Sequence, residues 1–149
     1  MNLIPGRAKV RETARFFKVL ADEARLKMLW LLFNHRELCV CDVMAVLEIT
    51  QSKASRHLAA LRNAGLATDR KDGLWSYYSL RPIEDELVAA HLKLLRLNLQ
   101  KRPDAKQLLA KLQGWLRAKQ RSETCLTNIS LSKKTKAGST RARISGGSR

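Results

Sequence analysis

The sequence predicts a mainly α-helical fold that carries one small β-hairpin. Apolar residues recur at helical spacing in several segments between residue 8 and about residue 120. Two strand-like runs, LATDRK and LWSYYSL, interrupt this pattern and flank the dipeptide Asp72-Gly73. Asp-Gly is typical of a two-residue hairpin turn, because both turn positions need positive φ angles. The expected architecture is therefore a helical chain with a single hairpin.

Two helices are expected near the start of the sequence. Residues 8–20 place apolar side chains on one face, and Asp22 is positioned to cap a second helix that ends near Asn34. Both apolar faces indicate packing against a core. The expected core residues of these two helices are Val10, Ala14, Phe17 and Leu20 in the first, and Leu26, Leu29, Trp30 and Phe33 in the second.

The next two helices have the spacing of a helix-turn-helix. A short helix at about 40–47 precedes a break and a longer helix at about 51–64. Thr50 is a suitable N-cap for the longer helix, and Gly65 is a suitable C-terminal stop. The hairpin that follows directly is typical of a wing. Together these elements predict a winged helix-turn-helix.

The longer helix has the side chains of a DNA-recognition helix. Its apolar back is formed by Ala54, Leu58 and Leu61, and its front end is polar and basic. Glutamine suits adenine, lysine and arginine suit guanine or phosphate, and serine can bond to either. The formal net charge of +16 also favours a polyanionic partner. The expected DNA-binding residues are Gln51, Ser52, Lys53, Ser55 and Arg56 in the helix, and Arg70 and Lys71 in the wing.

The C-terminal part divides by composition. Helical periodicity over residues 83–100 completes a winged-helix domain at 1–100, and residues 101–121 predict a separate C-terminal helix. Residues 122–149 are rich in Ser, Thr, Gly and basic side chains, with few large apolar groups. Such a segment cannot bury enough surface to offset its ordering entropy, so we expect a basic, disordered tail.

Several classes of protein are disfavoured by what the sequence lacks. No apolar run reaches the roughly 18 residues needed to span a bilayer, and the N-terminus does not resemble a secretory signal, so a cytoplasmic protein is expected. Three cysteines do not form the framework of a secreted domain. There is no Gly-rich phosphate loop, no HExxH motif and no supported nucleophile–base pair, so we do not expect an enzyme.

Cys39 and Cys41 stand one residue apart in the run ELCVCDV, directly before the helix-turn-helix, and the third cysteine is Cys125. Taken alone, the pair could be core residues, a redox pair or ligands for a thiophilic ion. Side chains two residues apart diverge by about 200° on a helix. On a strand they share a face at about 6–7 Å. We therefore expect a shared ion to distort the start of the helix at 40–47 and so to shift the recognition helix.

The segments VLADEARLKMLWLL, ELCVCDV and QSKASRHLAALRNAGLATDRKDGLWSYYSL resemble the ArsR/SmtB metal-sensing repressors, and among them the arsenical-resistance repressors. The resemblance covers about residues 17–80. It implies a homodimer formed through the helices at 8–20 and 83–100. It also implies repression at an inverted repeat in double-stranded operator DNA, with release when an ion binds.

The resemblance further implies that As(III) or Sb(III) is the effector, bound through three sulfurs, with no organic cofactor. Cys39 and Cys41 would supply two of these sulfurs. The family's third cysteine position is Met44 here, so Cys125, Met44 or an external thiol could complete the site, and Cys125 is the expected ligand. Sensing of cadmium or lead, sensing of thiol oxidation, and unregulated DNA binding through the basic tail remain alternatives.

Overall fold

The computed structural model describes the backbone of residues 10–137 and the side chains of residues 10–121. The elements of the described part are α1 (Val10–Leu20), α2 (Glu23–Asn34), β1 (Leu38–Cys39), α3 (Val40–Leu47), α4 (Gln51–Asn63), β2 (Ala67–Asp72), β3 (Trp75–Leu80), α5 (Glu86–Gln100) and α6 (Pro103–Ala137). The chain divides into two compact units, Met1–Trp115 and Leu116–Arg149, and the sheet and helices α1 to α5 belong to the first unit.

The helix boundaries follow from the predicted caps. The Asp22 carboxylate accepts a hydrogen bond from the backbone N–H of Arg25 at 3.1 Å, which fixes the start of α2. The Thr50 hydroxyl accepts from the backbone N–H of Lys53 at 3.3 Å and begins α4. Gly65 follows the end of α4 with φ 77°, a left-handed conformation that glycine adopts without strain. The predicted helix-turn-helix is confirmed.

The sheet contains a strand that the sequence analysis missed. β1 pairs antiparallel with β3, with Leu38 opposite Tyr78 and Cys39 opposite Tyr77, which gives the strand order β1-β3-β2. A strand of two residues is too short to produce an alternating pattern in the sequence. Because of this strand, Cys39 is paired with Tyr77 in the wing.

The hairpin turn lies one residue later than predicted. Asp72 pairs with Trp75, so Gly73 and Leu74 form the turn. Gly73 has φ 59°, and glycine at the first turn position is typical of a type II′ hairpin. Leu74 is fully exposed, whereas Tyr78 on the return strand is 5% exposed and packs against the domain.

More of α2 is buried than the single apolar face that its sequence predicts. Five consecutive residues of this helix are buried, from Met28 to Leu32. Leu26 and Phe33, which were expected to be core residues, are only half-buried. The reason is that α2 contacts α1, α3, α4, α5 and β3, so it is enclosed on several sides and not on one.

The faces of α1 and α5 leave large apolar side chains in solvent. Phe16 is the buried residue of α1, while Phe17, predicted to be core, is 43% exposed and Val10 is 86% exposed. On α5, Leu87, Leu94 and Leu97 are 41%, 66% and 49% exposed. The rings of Phe17 and the half-buried His91 lie 5.0 Å apart, so the outer faces of α1 and α5 are neighbours.

The helix predicted at residues 101–121 continues through Ala137 as α6. The backbone helix therefore does not end at residue 121, where it was predicted to end. The remainder of the expected tail, residues 138–149, lies outside the described part. Within the described residues, no helix combines the length and apolar character needed to cross a membrane.

Candidate metal centre and nucleic-acid interface

Cys39 and Cys41 lie on either side of the junction between β1 and α3. Cys39 is the N-cap of α3, with extended backbone angles of φ −71° and ψ 152°. Its Sγ accepts a hydrogen bond from the backbone N–H of Cys41 at 3.4 Å. The two Sγ atoms are 2.7 Å apart. The cap geometry thus brings both thiols to one point.

The expectation that the two thiols diverge, or lie about 6–7 Å apart, is wrong, whereas distortion of α3 by a bound ion stays a prediction. It treated both residues as part of one helix or one strand, but Cys39 is extended and Cys41 is helical. The chain turns between them, so the cap side chain folds over the first N–H groups of the helix. For scale, zinc–sulfur bonds of about 2.3 Å in a tetrahedral site separate two sulfurs by about 3.8 Å. The pair would need to open by about 1 Å to reach that spacing.

Asp42 is a buried carboxylate that organises this turn, and it is 3% exposed. One of its oxygens, Oδ2, accepts from the backbone N–H of Cys39 at 2.9 Å, which completes a capping box. The other, Oδ1, accepts from the indole N–H of Trp115 at 2.9 Å. The sequence analysis assigned no role to Asp42. The signal that could have identified it is the three-residue spacing from Cys39, with a cysteine in place of the usual serine or threonine.

The structure brings together two of the three expected metal ligands. No set of three Cys, His, Asp or Glu side chains within the described region is arranged to hold a metal ion. Met44 is half-buried one turn along α3, and the Cys125 side chain lies outside the described residues. The fit to a thiophilic ion therefore rests on Cys39 and Cys41.

The recognition helix presents the expected division of faces. Ala54, Leu58 and Leu61 are completely buried and hold α4 against the core. The candidate DNA-contacting side chains lie on the opposite face, where Gln51, Ser52, Lys53 and Arg56 are exposed and Ser55 is half-buried. The exposed front of α4 is therefore polar and basic, as the docking of a recognition helix requires.

The wing residue Arg70 has an intramolecular partner that the sequence did not indicate. Its Nη2 and Nε donate to Glu37 Oε1 and Oε2 at 2.6 and 3.1 Å, a bidentate ion pair. The hydrogen bonds from Arg70 lower the pKa of Glu37, and the same bonds raise the pKa of Arg70. The guanidinium also lies 4.7 Å from the ring centroid of Tyr77. Lys71, the second predicted wing contact, is exposed.

His57 on α4 belongs to a polar cluster and not to an ion site. Its Nδ1 lies 3.4 Å from Arg25 Nη1 and 3.9 Å from Asp22 Oδ1. The hydrogen bond from the Arg25 backbone N–H is the main cause that lowers the pKa of Asp22, with the charge of His57 contributing. His57 is therefore a half-buried histidine within hydrogen-bonding distance of Arg25.

Comparison with known sequences gives relatives that are regulators of arsenic and cadmium resistance. The chain is 53% identical over 68 residues to the arsenical resistance operon repressor of Escherichia coli, covering 46% of this chain and 58% of that one. It is 44% identical over 84 residues to the arsenic resistance transcriptional regulator ArsR2 of Pseudomonas putida, covering 56% and 70%. A CadC homolog of Staphylococcus aureus, a cadmium resistance regulator, is 45% identical over 69 residues, covering 46% and 57%. The chain thus spans under two thirds of the length of the first and third.

Solved structures share the fold. The homodimeric winged helix-turn-helix DNA-binding domain of a possible ArsR-family regulator from Mycobacterium bovis has a TM-score of 0.52 at 27% identity, covering 67% of this chain and 94% of that one. The AntR antimony-specific transcriptional repressor has a TM-score of 0.51 at 27% identity, covering 72% and 90%. Residues 22–69 match the bacterial regulatory protein arsR family. The chain belongs to the ArsR family of DNA-binding transcriptional regulators.

Proposed function

We propose that this chain is a cytoplasmic, non-enzymatic homodimeric repressor that leaves its operator when As(III) or Sb(III) binds through Cys39 and Cys41. The observation that carries the proposal is the 2.7 Å separation of the two sulfurs at the junction of β1 and α3. Thiolates prefer soft ions, and two thiols at one point form the greater part of such a site. The arsenical and antimony regulators among its relatives support this choice of ion.

The position of the thiols connects them to both DNA-facing elements. Cys39 is paired with Tyr77 in the wing, so a shift of its backbone acts on β3. Cys41 lies in the first turn of α3, and α3 is separated from the recognition helix by only three residues. Opening the thiol pair therefore acts on the wing through one cysteine and on α4 through the other.

The size of the response follows from linkage. If the ion binds the DNA-free form more tightly, it weakens operator binding by the same factor. Couplings of about 1–3 kcal/mol correspond to roughly 5- to 150-fold weaker binding. An opening of about 1 Å at the thiol pair is a small displacement, and its effect depends on the tightly packed junction between α3 and α4.

The dimer interface is proposed at the neighbouring apolar faces of α1 and α5. Exposed apolar side chains of this size are typical of a contact surface. The surface consists of Val10, Phe17, Leu87, Leu94 and Leu97. A two-fold dimer would place two copies of α4 in successive major grooves, which is how such proteins read an inverted repeat. The contacts to DNA are assigned to Gln51, Ser52, Lys53, Ser55, Arg56, Arg70 and Lys71.

Fluorescence anisotropy on DNA from upstream of the protein's own gene tests the choice of ion. As(III), Sb(III), Cd(II) and Zn(II) are added separately to the complex under reducing conditions. We expect release by As(III) and Sb(III) only. Release by Cd(II) would instead indicate a cadmium-responsive repressor, in line with the cadmium-resistance relative. A Cys125→Ser variant with a weaker As(III) response would identify Cys125 as the third ligand, and an unchanged response would favour an external thiol or Met44.

Oxidation of the thiol pair is a second candidate, because sulfurs in contact are also placed to form a disulfide. Each thiol would lose one proton and one electron as the S–S bond forms, and peroxide would accept both electrons and both protons, break its O–O bond and become two waters. The anisotropy measurement repeated without reductant separates the candidates, since peroxide and not As(III) would then release the DNA.

A further inference from the structure

The first turns of α6 contact α3 at both of its ends. The indole of Trp115 donates to Asp42 at the N-terminal end of α3 at 2.9 Å. Lys111 Nζ lies 3.2 Å from Oε2 of Glu48, which is the C-cap of α3. Between these contacts, Leu112 is completely buried. This stretch of α6 therefore braces the helix that separates the thiol pair from the recognition helix.

The Asp42 carboxylate is the point at which this brace meets the thiol pair. Its Oδ2 holds the backbone N–H of Cys39, and its Oδ1 holds Trp115. The Cys41 Sγ lies 3.9 Å from the same Oδ1. One buried side chain therefore contacts both cysteines and Trp115, which links the turn at the thiol pair to α6.

We propose that Trp115 is a positioning residue for the thiol site: its indole N–H fixes Asp42, and this bond keeps the turn between Cys39 and Cys41 closed. The inference rests on the proposed function, because it assumes that the closed turn must open to take the ion. Loss of a hydrogen bond to a charged, buried acceptor should favour the open turn by about ten-fold or more.

A second tryptophan provides a matched control. The indole N–H of Trp30 donates to the backbone carbonyl of Ala105 at 2.7 Å and anchors the start of α6. Trp30→Phe and Trp115→Phe each remove one indole hydrogen bond that holds α6. Only the second removes a bond to Asp42, so a general loosening of α6 and a specific effect on the thiol pair can be separated.

The first measurement is the rate at which iodoacetamide alkylates Cys39 in the folded full-length protein, read by mass spectrometry of the peptide. Cys39 is 1% exposed, so alkylation requires the turn to open. We expect Trp115→Phe to accelerate this reaction about ten-fold or more. Trp30→Phe should accelerate alkylation only by the amount that its loss of global stability explains, and that loss is measured by urea unfolding. An unchanged rate in Trp115→Phe, or equal acceleration in both variants, would overturn the proposal.

The second measurement is the As(III) concentration that releases half of the bound DNA. Trp115→Phe should lower it by a similar factor, with little change in DNA affinity before As(III) is added, because Trp115 is not among the residues assigned to DNA contact. A midpoint equal to that of the wild type would overturn the role in ion binding. If As(III) releases no DNA from the wild type, the proposed function fails, and the alkylation rates still decide whether Trp115 holds the turn closed.

Discussion

Replacing Glu37 with glutamine should tighten DNA binding and steepen its salt dependence. In the structure the Glu37 carboxylate accepts two hydrogen bonds from the Arg70 guanidinium, at 2.6 and 3.1 Å, in the way that a phosphate would. Glutamine carries no charge, so the bidentate ion pair is lost and Arg70 keeps only a longer contact with Asp72 at 3.8 Å among its acidic partners in the described residues. Each neutralised phosphate adds about −0.9 to the slope of log K against log salt, and a dimer with one such arginine in each subunit would gain about −1.8.

The assay is operator binding by fluorescence anisotropy over a series of salt concentrations. With a slope steeper by about 1.8, the affinity gain of Glu37→Gln over the wild type grows about 12-fold between 200 and 50 mM salt. Glu84→Gln is the control, because it removes the same charge at a position outside the ion pair with Arg70. An unchanged slope in Glu37→Gln, or the same change in both variants, would show that Arg70 does not contact phosphate.

Acid should reproduce the effect of Glu37→Gln. Because Arg70 lowers the pKa of Glu37, the ion pair is complete above the ordinary carboxyl pKa and is lost only as pH falls through the lowered value. A salt slope that already steepens between pH 7 and pH 5 would contradict this. Leu58→Ala should lower the free energy of unfolding by about 2–5 kcal/mol in urea titrations, because the side chain is completely buried. Arg56→Ala, on the exposed face of the same helix, should leave stability within about 0.5 kcal/mol and weaken DNA binding. Asp22→Ala should cost about 1 kcal/mol through loss of the α2 cap. Because the pKa of Asp22 is lowered in the folded protein, its contribution to stability is present above the pKa of the unfolded state and is lost as pH falls through the pKa of the folded state. Equal stability of variant and wild type at pH 7 would argue against the cap.

The sequence was a good guide wherever local chemistry decides the structure. Asp22 and Thr50 cap the helices they were expected to cap, and the buried side of α4 follows from its helical spacing. These features depend on hydrogen bonds and periodicity within a few residues, which can be read directly from the order of side chains. The same holds for the division between the core face and the polar front of α4.

Contacts between distant segments could not be predicted in the same way. Glu37 and Arg70 are 33 positions apart, and Asp42 and Trp115 are 73 positions apart. The thiol geometry was mispredicted because it depends on the change from strand to helix at Cys39, and β1 leaves no periodic signal. The turn at Gly73 shifted by one residue because pairing of Asp72 with Trp75 outweighs the local preference of Asp-Gly.

The proposed role of the thiol pair is tested most directly by the response of a Cys39→Ser/Cys41→Ser variant to As(III) on operator DNA. The serines keep the size and cap chemistry of the turn, so we expect wild-type DNA affinity in the absence of As(III). Wild-type protein should lose about 5- to 150-fold in operator affinity when As(III) is added, and the variant should lose none. If the variant still leaves the DNA on addition of As(III), Cys39 and Cys41 are not the effector site.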